Sequence, residues 1–204
     1  MVSITACSPS PPERTRLRRW LLPLLFLLLP LLAWAAEIEV VNPRIVHDED
    51  GYALFADFNF ELRPRLEEAV ARGVTLTFVV DFELTRGRWY WFDETVAARS
   101  QIISLSYHAL TRQYRLSSGG LHQSFATLDE ALAMLSRLHN WPISDGDAPD
   151  LRPGKTYQAA LRMRLDISQL PRPFQISALG NRDWNLASDW KTWTVTLPLP
   201  AEAK

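Results

Sequence analysis

Three stretches of this chain carry an apolar side chain at every second residue. Tyr52, Leu54, Ala56, Phe58, Phe60 and Leu62 form the first, and Val74, Leu76, Phe78, Val80, Phe82 and Leu84 the second. Tyr157, Ala159, Leu161, Met163, Leu165 and Ile167 form the third, with Gln158, Arg162, Arg164 and Asp166 between them. A period of two sends alternate side chains to opposite faces of a strand, so each stretch predicts one buried face and one wet face. Half-wet strands suit an antiparallel sheet better than the doubly covered parallel sheets of α/β folds.

Turn chemistry divides these strands from their neighbours. Asp48-Glu49-Asp50-Gly51 predicts a hairpin between Ile38–Val46 and Tyr52–Leu62. Arg86-Gly87 joins the second stretch to a strand at Trp89–Phe92, and Leu110–Gln113 separates Ile102–Ala109 from Tyr114–Leu116. Later strands are expected at Phe174–Leu179 and Thr192–Leu197. Two helices interrupt them. Pro64 opens the first, with Leu66, Ala69 and Val70 on one face and Gly73 beyond its end. Thr127 and Glu130 form a capping box for the second, which carries Leu128, Ala131, Leu132, Leu135 and Leu138 as an apolar stripe and stops near Asn140-Trp141-Pro142. The fold class this implies is mainly β: an antiparallel β-sandwich, immunoglobulin-like in style, with two short helices.

Ahead of that domain lies an export pattern. Arg14, Arg16, Arg18 and Arg19 form a basic cluster, and the leucine-rich run from Trp20 to Ala36 is uncharged and ends in Ala33-Trp34-Ala35. Basic region, apolar core and small residues at a peptidase site predict a signal peptide over 1–35, cut between Ala35 and Ala36, and one exported domain over 36–204. The competing reading is an uncleaved inner-membrane anchor at residues 20–36. That run has 17 residues and two prolines, short of the roughly 20 a spanning helix needs, so contact with the membrane is expected only if the signal stays uncut. Ile4-Thr5-Ala6-Cys7 has the residue types of a lipid-attachment box, but it precedes the apolar core instead of following it.

Composition narrows the function classes. Without residues 1–35 the chain keeps 18 basic and 22 acidic residues, a net charge of −4, which gives no basic footprint for nucleic acid. Its one cysteine, Cys7, lies in the signal, so the domain folds by packing without disulfides or thiol chemistry. No cofactor is expected, since no phosphate-cradling loop, dinucleotide fingerprint or nucleophile elbow is present. Asp145, Asp147 and Asp150 offer carboxylates for calcium, but no closing glutamate follows, and a solvated loop is the expectation. His47, His108, His122 and His139 lack metal-ligand spacing, although a 102–116 hairpin would bring His108 towards His122. Asp93 and Glu94 beside Trp89–Phe92 suggest a glycosidase pair. Adjacent strand residues point to opposite faces, so a hydrolase would need Asp81 or Glu83 as the second acid. The domain is therefore read as non-enzymatic.

The aromatic residues are the anomaly. Trp89 and Trp91 share one face of their strand and Tyr90 and Phe92 the other, while Trp184, Trp190 and Trp193 cluster near the end of the chain. Only one face of a strand can supply the core, so Trp89, Tyr90, Trp91, Trp184, Trp190 and Trp193 are the candidate binding residues. Core packing by cross-strand aromatic pairs is the alternative.

At Arg88-Trp89-Tyr90-Trp91-Phe92-Asp93-Glu94 and at Asp183-Trp184-Asn185-Leu186-Ala187-Ser188-Asp189-Trp190, the chain resembles the proteobacterial proline-rich signal-peptide proteins, the domain of unknown function 4390 family. The resemblance covers nearly all of the exported part and carries over no catalytic residue. It implies a Gram-negative periplasm, and genes that often neighbour a nitrogen-regulation-type sensor kinase and its response regulator. A partner in envelope signalling follows from that implication. A carbohydrate or peptidoglycan binder is the next reading, and a hydrolase the last.

Overall fold

The computed structural model describes residues 38–48, 51–87, 94–143, 151–178 and 181–199. They belong to one unit, Ala36–Lys204, built as two antiparallel sheets packed face to face. The smaller sheet has the order β1-β2-β7, from β1 (Ile38–Asp48), β2 (Gly51–Phe60) and β7 (Arg137–Pro142). The larger has the order β6-β5-β4-β3-β8-β9. Its strands are β3 (Leu76–Arg86), β4 (Glu94–His108), β5 (Gln113–Ser118), β6 (Leu121–Phe125), β8 (Thr156–Leu165) and β9 (Lys191–Thr196). This is the antiparallel sandwich that the alternation predicts. The signal segment and its cleavage site at Ala35 and Ala36 lie outside the described residues.

Alternation places the core. Leu76, Phe78, Val80, Phe82 and Leu84 of β3 are buried, as are Tyr157, Ala159, Leu161, Met163 and Leu165 of β8. The two strands pair directly, with Phe78 opposite Leu165 and Phe82 opposite Leu161. The small sheet answers with Ile38, Val40, Leu54, Ala56 and Phe58. Phe60 meets Phe78 across the layers at 6.1 Å between ring centres, and Trp141 meets Phe82 at 6.4 Å. Asp48 pairs with Gly51, closing the expected β1–β2 hairpin.

Helix α1 (Pro64–Ala71) buries Leu66, Ala69 and Val70 and ends where Gly73 takes a φ of 88°, a left-handed turn open to glycine. Helix α2 (Leu128–Leu135) starts on its capping box. The Glu130 amide donates to Thr127 Oγ1 at 3.2 Å, and the Glu130 carboxylate accepts from the Ala126 amide at 3.1 Å, one residue earlier than the usual box. Ala131 and Leu135 are buried, and α2 packs on β5, β6 and β7, so it bridges the two sheets.

Two expectations fail. The strand at Phe174–Leu179 is instead a third helix, α3 (Arg172–Ala178). Phe174, Ile176 and Ala178 alternate in sequence, yet Ile176 is 72% exposed while Ala178 is buried. The Pro171 carbonyl accepts from Phe174 and Gln175, and Pro173 fits the first turn of a helix, where its missing N–H costs nothing. The second helix also ends earlier than its stripe suggests. Ser136 closes α2 with its carbonyl accepting from Phe58 at 2.7 Å, and Leu138 is buried on β7 opposite Ala56.

Candidate functional site

The tryptophans divide by role. Trp184 is 4% exposed, lies against Phe174 at 5.6 Å and belongs to the core. Its neighbour Asp183 accepts from Arg63 and pairs with Arg65, fastening this turn to the start of α1. Trp193 stands opposite Ala159 on β9 and packs on Phe82 at 6.5 Å, on the core side of the larger sheet. Trp190, 37% exposed, lines a hollow on the opposite side with Asp81, Glu83, Ser100, Arg162 and Arg164. The three therefore share no single platform. Burial answers the recognition role for Trp184: the residue is spent on packing. Trp89, Tyr90, Trp91 and Asp93 lie outside the described residues, as do Asp145, Asp147 and Asp150.

Two of the candidate acids, Asp81 and Glu94, have partners, while Glu83 stands exposed opposite Ala98. Asp81 accepts from Ser100 Oγ at 2.7 Å, Arg162 Nε at 3.0 Å and Arg164 Nε at 3.3 Å. Burial works against its charge, but these three hydrogen bonds and the positive charge of Arg164 together outweigh burial and hold its carboxyl below the ordinary aspartate range. Glu94 pairs with Arg86. Asp81 and Glu94 stand roughly 15 Å apart along the ladder, because Asp81 faces Ser100 while Glu94 faces Arg86, too far for a glycosidase pair. The histidines do not converge. His108 lies opposite Gln113, whereas His122 lies opposite Ser117, bonds its hydroxyl at 2.7 Å and sits four positions along β5. His47 packs on Tyr52 and His139 on Phe55.

A different place has the shape of a binding site. Three strands face six, and the small sheet lies over the β3 and β8 side, as the Phe60–Phe78 and Trp141–Phe82 contacts show. The core faces of β4, β5 and β6 beyond it form the floor of a cleft of about 380 Å³, within the range of small-ligand sites. Gln101 and Ile103 of β4, Leu116 and Ser118 of β5, and Leu121 and Gln123 of β6 make the floor, every second residue of each strand. Met134 and Leu135 of α2 make one wall. The other wall is β7, which contributes every residue from Arg137 to Pro142.

Polar groups in this cleft are few and specific. Gln101 donates from Nε2 to Ser118 Oγ at 2.9 Å, but its Oε1 is buried with no hydrogen-bond partner. A buried unpaired acceptor costs about 1–3 kcal/mol, which a ligand donor would recover only after the Gln101 side chain turns to bring Oε1 into the cleft. Arg137 stands exposed at the rim, opposite Asp57 of β2 but in no ion pair among the described residues, and no carboxylate lines the cleft itself.

A family model described as Domain of unknown function (DUF4390) matches residues 35–194. The chain belongs to that family. The DUF4390 match takes in every residue of the cleft and most of β9, and its first residue is Ala35. No curated protein and no solved structure matches the chain.

None of Gln101, Ile103, Leu116, Ser118, Met134 or Arg137 stands out in the sequence as a binding residue. One partial signal does exist. Gly119-Gly120 between alternating residues marks a two-residue hairpin, and both glycines have positive φ, 54° and 89°. Reading it would have placed β6, and with β6 the outer part of the floor.

Proposed function

We propose that this DUF4390 chain is an exported, non-enzymatic binding module of the Gram-negative envelope, and that its partner enters the cleft between β7 and the β4–β6 floor. The observation that carries the reading is the lining of the cleft, where Ile103, Leu121, Met134 and Trp141 stand beside the polar Gln101, Ser118, Gln123 and Arg137 and the Gln101 Oε1 has no donor. Apolar walls with a few placed polar groups are the ordinary chemistry of a recognition site. The basic cluster, leucine run and Ala33-Trp34-Ala35 support export to the periplasm.

One experiment tests both halves. The full chain is expressed in a Gram-negative host with a photoreactive residue replacing Leu121, which is 69% exposed at the cleft floor. Mass spectrometry of the periplasmic fraction should find an N-terminus at Ala36, and illumination should give a discrete adduct that Ile103→Arg abolishes without lowering Tm. A product that keeps the Leu21–Leu32 run establishes the membrane anchor instead. An adduct pattern unchanged by Ile103→Arg removes the cleft from the reading.

A further inference from the structure

Among the described residues β7 is the last strand of its sheet, so one edge carries backbone N–H and C=O groups with no described strand beside them. This edge opens onto the cleft. A strand that showed only one face to a cavity would line it with alternate residues, whereas β7 lines it with six in succession, Arg137 to Pro142. Neighbouring strands lie about 4.8 Å apart and packed sheets about 10 Å apart. The next strand position beside β7 is therefore in the cleft, above Ile103, Leu116 and Leu121.

We propose that the cleft receives an extended peptide segment of another protein, which adds to the smaller sheet as a fourth strand, β1-β2-β7-peptide. This rests on the cleft reading above and names the occupant. Backbone pairing with β7 gives such a segment its affinity, and the side chains at alternate positions give specificity. Those pointing inward meet Ile103, Leu116 and Leu121 and must be apolar. A short donor such as Ser, Thr or Asn over Gln101 would pair its Oε1 once that side chain turns towards the cleft, because the backbone N–H groups of an added strand point along the sheet towards β7 and not down to Oε1. Arg137 at the rim, with no carboxylate in the lining, selects an acidic residue on the segment. Asn140 has a φ of 49° at a register shift in the β2–β7 pairing, so β7 is kinked there. The kink limits pairing to a few rungs and suits a short segment, and it discourages indiscriminate edge-to-edge joining.

The test is an array of randomised peptides of about ten residues, long enough for one strand, probed with the purified full chain. The expected selection alternates apolar residues, carries an acid, and includes a hydroxyl or amide on the inward face. N-methylation of alternate amides on the pairing side of a selected peptide should weaken binding by about tenfold or more, the scale of a lost hydrogen bond left unmade. Methylation of the intervening amides should not. Arg137→Glu should reverse the preference for an acid, and the β7 amides should exchange more slowly when peptide is bound. Binding indifferent to methylation overturns strand addition and leaves the cleft as a side-chain pocket. No selected peptide, with an apolar dye (anilinonaphthalene sulfonate) still bound by the wild type and lost in Ile103→Arg, overturns strand addition alone. Failure of peptide and dye together overturns both readings. Protection of the β7 amides in a concentration-dependent dimer, with no peptide bound, assigns the edge to a second copy and overturns this proposal.

Discussion

The guanidinium of Arg162 stands 4.3 Å from the centre of the Trp190 ring while its Nε donates to Asp81 at 3.0 Å. One side chain thus joins an aromatic ring on the approach to β9 to a carboxylate on β3. Partly exposed cation–π contacts contribute about 0.5–1 kcal/mol, so Trp190→Ala should lower unfolding free energy by that amount. Trp184→Ala should cost roughly 3–5 kcal/mol, because it empties a core site. Urea titration of the two variants checks the ranking, and equal losses would contradict the division of the tryptophans given above.

Asp81 makes the domain sensitive to acid. Its folded pKa is lowered, so the stabilisation is complete above the ordinary aspartate value of about 3.9 and is lost as pH falls through the folded value. Asp81→Asn should flatten the acid limb of a Tm-versus-pH curve and lower Tm at neutral pH. An acid limb that survives the change assigns it to other carboxylates.

Gln101→Leu separates stability from recognition. It removes a buried unpaired acceptor together with one bond to Ser118, so stability should stay level or rise by up to about 1 kcal/mol. Occupancy of the cleft should fall at the same time. A destabilised variant would mean that Gln101 is there for packing.

Thr127→Ala should cost about 1 kcal/mol, the usual worth of an N-cap. Glu130→Ala should be non-additive with it, since both residues serve the same helix start. Chemical denaturation of the double-mutant cycle measures this, and strict additivity would show that the two bonds act independently.

The sheets were legible in the sequence because period two is a local signal: β2, β3 and β8 bury the side chains that their alternation predicts, except that Phe60 is only half-buried and Ile167 falls in a 3-10 turn beyond β8. Phe174-Gln175-Ile176-Ser177-Ala178 was misleading because five alternating residues fit a strand and a helical turn alike. Only the placement of Pro171 and Pro173 distinguishes them. The cleft was not legible at all. It arises from the pairing of Ala56 with Leu138 and from the unequal sharing of strands between sheets, and no local pattern encodes either. Tryptophan content signalled unusual aromatic surface, but which rings were left over depends on a long-range neighbour, such as Phe174 for Trp184 or Arg162 for Trp190.

The pairing of β7 with β2 also sets an order of events for a chain made from its N-terminus. The β1–β2 hairpin appears first, and two strands alone are marginal in water. Its third partner, Arg137–Pro142, follows only after β3 to β6. The first strands synthesised must therefore wait for one of the last, and closure of so long a loop slows folding. The Tyr52 hydroxyl adds a final latch by donating to the Pro198 carbonyl at 3.0 Å. A chain truncated before Arg137 would keep its hairpin and its meander, with the hairpin held only by side-chain packing such as Phe60 on Phe78 and by no third strand.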